Sequence, residues 1–107
     1  MISFSEFSKI DIRVGKVLSI ENHPNADKLY ILKVEIGDKK IQLVAGLKQH
    51  YQPQQLEGKY IVVVTNLEPR ILRGVESQGM LLAATSEDGV ISVLTLDREL
   101  PSGSKVR

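Results

Sequence analysis

Three short stretches hold most of the side chains whose chemistry could serve a function: 11–17 (DIRVGKV), 23–29 (HPNADKL) and 66–83 (NLEPRILRGVESQGMLLA). Lys28 follows a run of turn-forming residues, and Arg70 and Arg73 stand three apart with no acidic residue between Pro69 and Val75. Lysine offers phosphate a compact charge, whereas arginine can fork onto two phosphate oxygens or stack on a base. Met80 adds a polarisable thioether able to lie against a base or ribose. Ser77 adds a hydroxyl able to donate to phosphate or a 2′-OH. Asn66 could hydrogen-bond a base edge. Each also has a plain structural reading: Lys28 as a solvated surface charge, Asn66 as a loop cap, Ser77 as a turn residue, Met80 as part of the core.

Other chemistries find little support. Without cysteine there is no disulfide framework, thiolate nucleophile or cysteine-based zinc site. His23 and His50 lie 27 apart, with no partner at metal-ligand spacing, and read as surface or loop histidines. No nucleophile-elbow pattern surrounds any serine, so Ser77 and His50 do not suggest hydrolysis. Asp11 and Asp27 read as structural, and Gly74 and Gly79 as backbone positions closed to other residues. The expectation is a protein with no catalytic residue, no metal and no cofactor.

The chain has 107 residues, 42% apolar and 5% aromatic, so a single domain with an aliphatic core is expected over 1–107. A chain of this size buries roughly two-thirds of its surface on folding. Net charge +1 excludes a strongly electropositive body that grips any polyanion through bulk attraction. The charge is unevenly spread, however: residues 41–75 carry four basic and two acidic groups, residues 76–107 three and five. No apolar run reaches the roughly 18 residues of a membrane span, and the N-terminus lacks a secretory stretch. A cytoplasmic location is expected.

The elements that must position these residues are mostly strands. Ser3 and Glu6 have capping-box spacing, with Phe4 and Phe7 on one face of a single helical turn. From Ile10 the apolar residues alternate through Ile12, Val14, Leu18 and Ile20, a long strand in which Gly15 suggests a bend or bulge. A second strand over 29–36 turns at Gly37-Asp38 into a third over 40–45. The stretch 47–58 reads as a short helical turn plus loop. The run 60–64 is continuously apolar and should be buried on both faces. Residues 66–77 break the pattern and read as a long loop, in which one helical turn would present Arg70 and Arg73 together. Strands over 79–85 and 90–96 join through Glu87-Asp88-Gly89. The tail over 97–107 is loop-like, with room for one short strand. Many short strands, one long and bent, argue an all-β, five-stranded OB-fold barrel with a short N-terminal helical turn and a C-terminal extension. A small β-sandwich is the alternative.

Taken in this order and at these separations, the three stretches resemble the tRNA-binding domain family, found at the C-terminus of many methionyl-tRNA synthetases, as a free-standing dimeric tRNA-binding protein and in synthetase cofactors. The resemblance runs over 7–107. It implies a five-stranded barrel and a homodimer assisted by terminal segments. It also implies non-catalytic binding of tRNA by shape, with little dependence on sequence. Carried onto this chain, the implied RNA contacts are Lys28, Asn66, Arg73, Ser77 and Met80, with Arg70 where relatives often carry lysine. On an OB barrel, the second and third strands and the loops beside them form the working surface. Phe4 and Phe7 are candidates for the dimer interface. A relative of this barrel resembles a chaperone-like dimer for unfolded polypeptide, the alternative function. Such relatives tend to lose the Asp-Lys-Leu and Ser-Gln-Gly-Met elements, which this chain keeps.

Overall fold

A computed structural model describes residues 1–107. Helix α1 (Phe4–Phe7) starts on the expected capping box: the Ser3 hydroxyl accepts from the Glu6 amide, and the Glu6 carboxylate accepts from the Ser3 amide. The main sheet is built from β1 (Ile12–Asn22), β2 (Tyr30–Ile36), β3 (Lys39–Ala45), β4 (Tyr60–Val64) and β7 (Met80–Leu81), in the order β3-β2-β1-β4-β7. Long β1 makes this possible, because its first half pairs with β4 and its second half with β2. The bulge that curls β1 lies between Val17 and Ser19, beyond Gly15. It turns Leu18 outward to 38% exposure, against the inward place that simple alternation gives it.

Curling brings the two ends of the sheet together. Beyond β4 a hairpin of β5 (Arg70–Leu72) and β6 (Val75–Ser77) leads into β7. The junction meets β3 through the Gln78 amide donating to the Gln42 carbonyl at 2.8 Å. The Gln42 amide in turn donates to Gln78 Oε1 at 2.7 Å, and the Val44 amide to Ser77 Oγ at 3.0 Å. Two of these three bonds use a side chain in place of a strand carbonyl. The five strands fit an OB-like barrel.

Inside lie Leu32 and Val34 from β2, Leu43 from β3, and Ile61 and Val63 from β4, plugged by Leu56 from α2 (Pro53–Leu56). Val62 and Val64 face the other way, into a second cluster with Ile12 that Phe7, Leu82 and Val106 cover. This explains the unbroken apolar run over 60–64: β4 has a core on each face. Val106 belongs to β10 (Lys105–Val106), the short strand of the tail, which pairs with the start of β1. A separate hairpin of β8 (Ala83–Thr85) and β9 (Ile91–Val93) joins through the expected turn. No helix is long and apolar enough to cross a membrane.

Candidate nucleic-acid interface

Within the stretch 66–77, residues 66–69 are loop but 70–77 form a hairpin rather than a helical turn, and its geometry explains why the pattern hid it. Arg73 and Gly74 occupy the turn with φ of 53° and 89°. Positive φ at both central residues marks the turn that matches strand twist, for which Asn-Gly is the usual signal. Here arginine, the only non-glycine residue of the chain at positive φ, takes the first position. A bulky residue in that region costs about 1–2 kcal/mol, and such departures cluster at functional positions. The turn places the Arg73 guanidinium at the tip of the hairpin, exposed.

His23 joins this hairpin to the 23–29 loop. Of the expected surface or loop position it takes the loop, but buried, at 5% exposure. The Asn25 amide donates to its Nδ1 at 2.9 Å, so Nδ1 is the acceptor and the ring proton resides on Nε2. Nε2 then donates to the Leu72 carbonyl at 2.9 Å. Beside this link Arg73 Nη2 donates to the Asn25 carbonyl at 3.4 Å, at the long end of hydrogen bonding. Lys28, exposed, leaves the same loop, and its carbonyl accepts from the Lys48 amide at 3.4 Å. That bond ties the main chain of Lys48, a half-buried residue, to the Lys28 loop, a link that spacing along the chain did not reveal. The only ion pair of the molecule, Arg13 with Asp11, lies elsewhere, so Lys28, Lys48, Arg70 and Arg73 carry charge with no carboxylate partner.

Arg70 and Met80 line a crevice of about 50 Å³ with Leu67, Leu72 and Ser77. Met80 is 46% exposed, so it is not sealed in the core. Arg70, Arg73 and Met80 thus lie on or beside one hairpin, and Lys28 on the loop that its tip touches. Gly79 is required beside them for space: a Cβ there would stand 2.8 Å from the Val64 carbonyl oxygen.

Two of the six sequence-derived contacts make structural hydrogen bonds, Ser77 in a buried position and Asn66 in an exposed one. Ser77 is 5% exposed, and its hydroxyl accepts from the Val44 amide and donates to the Gly79 carbonyl, both at 3.0 Å. With donor and acceptor both used in barrel closure, no hydroxyl remains for a phosphate. Asn66 spends both ends of its amide on the main chain: Oδ1 accepts from Asp11 at 2.9 Å and Nδ2 donates to Lys9 at 2.6 Å. It staples the chain ahead of β1 to the end of β4. Beside it, the Thr65 hydroxyl donates to the Asp11 carboxylate. That bond does most to hold the Asp11 pKa below the ordinary aspartate value; burial opposes it, and the hydrogen bond and charge of Arg13 add to the lowering.

A curled β-barrel with exposed Arg70, Arg73 and Met80 beside one hairpin defines a class, the OB-like barrels. Residues 12–105 match the family described as "Putative tRNA binding domain". The chain is 54% identical over 107 residues to the methionine–tRNA ligase of Thermococcus kodakarensis and 56% identical to that of Pyrococcus furiosus. In both cases the match takes in 99% of this chain and 14% of the ligase. Among solved structures, a MetRS-related protein from Pyrococcus horikoshii superposes with a TM-score of 0.95 at 36% identity, over 100% of this chain and 98% of that one. The chaperone CsaA from Bacillus anthracis superposes with a TM-score of 0.90 at 30% identity, over 100% and 99%. The chain belongs to the tRNA-binding domain family, as the three stretches implied.

Proposed function

We propose that this chain is a tRNA-docking module that serves a methionyl-tRNA synthetase, holding tRNA by its shape with little regard to sequence. The observation that supports the reading is that Arg70 and Met80 line one crevice while Arg73 stands exposed at the hairpin tip, bonded to the loop that carries Lys28. A few phosphate contacts per barrel give modest affinity at physiological salt, consistent with a module that raises local tRNA concentration. No residue is assigned a reaction. The module acts as a homodimer, which gives one tRNA two barrels to meet. Phe4, 80% exposed and 6.5 Å from the Phe7 ring, supports an interface at the N-terminal turn.

Likeness to CsaA over the whole chain favours one second reading, a chaperone-like dimer for unfolded polypeptide. A mobility-shift titration with unfractionated tRNA, competed with a denatured polypeptide, separates the two. The docking reading expects a salt-sensitive tRNA complex that the polypeptide does not displace. Binding of the polypeptide alone overturns it.

A further inference from the structure

We propose that His23 is a positioning residue for tRNA: it makes the Lys28 loop and the Arg70–Arg73 hairpin one preset binding unit. The inference rests on the tRNA-docking reading and extends it to a residue that touches no RNA. The hairpin of β5 and β6 forms its own two-stranded ladder, apart from the main sheet. At its foot it is anchored by Ser77 to Val44 and by Gln42 Nε2 donating to the Glu76 carbonyl at 2.8 Å. Toward its tip the hydrogen bonds are the His23–Leu72 bond at 2.9 Å and the longer Arg73–Asn25 bond at 3.4 Å. Ile71 is exposed and adds little packing, while Leu72 and Val75 are half-buried.

The imidazole suits this position because its two nitrogens do different work. Nδ1 closes the turn onto Asn25, while Nε2 reaches the hairpin 49 residues away. Pro24 restricts its own φ and biases His23 toward extended backbone, which narrows the loop's conformations, while the Asn25 amide bond to Nδ1 orients the ring. A surface that recognises shape needs its cations at fixed separations, since every loose loop must be ordered on binding. A buried single hydrogen bond supplies that order in advance.

The test titrates fluorescent unfractionated tRNA by anisotropy against the full chain and its variants over a range of salt. In His23→Asn the shorter amide still accepts from Asn25 but falls short of Leu72. About three- to tenfold weaker binding and a shallower salt slope are expected, because the hairpin cations no longer engage together. His23→Gln, which carries an amide N–H near the Nε2 position, should restore both. Amide exchange at Leu72–Val75 should quicken in His23→Asn and not in His23→Gln. Pro24→Gly leaves the ring intact and loosens its loop; about twofold weaker binding is expected, and this variant decides the matter if His23→Asn does not fold. No tRNA binding by the unaltered chain defeats the docking reading itself. Normal affinity and salt slope in His23→Asn, with the unaltered chain binding, overturn the positioning role alone, whether or not exchange quickens.

Discussion

Replacing Ser77 by alanine separates barrel closure from RNA contact at the residue where the two were hardest to tell apart. The change removes an acceptor 3.0 Å from the Val44 amide and a donor 3.0 Å from the Gly79 carbonyl. Val44 is buried, so its amide has no water to turn to. Leaving a buried donor unpaired costs about 1–3 kcal/mol, and about 2 kcal/mol is a fair central value for this site. Unfolding entropy near the midpoint is about 2.1 cal/mol/K per residue, or about 0.22 kcal/mol/K for 107 residues. The expected fall in Tm is therefore about 9 °C, measured by circular dichroism at pH 7. Anisotropy with tRNA at 20 °C, where the variant is still folded, should give the natural salt slope, because no phosphate contact is lost. An unchanged Tm with a shallower salt slope would refute the assignment and return Ser77 to the RNA surface.

Arg73→Asn keeps the left-handed turn and removes the cation. Stability should rise by up to about 1 kcal/mol while the salt slope of tRNA binding drops by roughly one phosphate's worth, read from urea melts and salt titrations. Thr65→Val removes the hydroxyl that does most to depress the Asp11 pKa. A depressed carboxyl stabilises the fold above its unfolded pKa and loses that contribution as pH falls through the folded one. Natural chain and variant should therefore differ most near neutral pH and converge below the ordinary aspartate range, in thermal melts between pH 7 and pH 2. The chain should sediment as a dimer at micromolar concentration, and Phe4→Asp should weaken that dimer about a hundredfold, since a symmetric interface loses two buried rings.

The strands over 30–36, 39–45 and 60–64 were legible in the sequence because alternation marks the first, the Gly37-Asp38 turn leads into the second, and an unbroken apolar run marks the third, which has a core on each face. The capping box of α1 was legible for a similar reason, since its partners lie three residues apart. What escaped depends on contacts distant along the chain or on a local rule broken for use. His23 is buried by a hairpin 49 residues on, and Asn66 is tied to Asp11 across 55. Leu18 faces outward because a bulge shifts the alternation that it otherwise obeys. The hairpin at 70–77 was hidden by arginine in a turn position that asparagine would have announced. Of the proposed binding surface, Lys28, Arg70, Arg73 and Met80 are candidates on residue type alone, whereas the main-chain link between Lys48 and Lys28 depends on the fold.

The most direct test of the central claim is an amide-shift map by NMR as unfractionated tRNA is added to the isotope-labelled chain. Shifts and broadening gathered at Lys28, Lys48, Arg70–Arg73 and Met80 are the predicted result. Perturbation confined to the β8–β9 hairpin or to the N-terminal turn, with those residues silent, would contradict it.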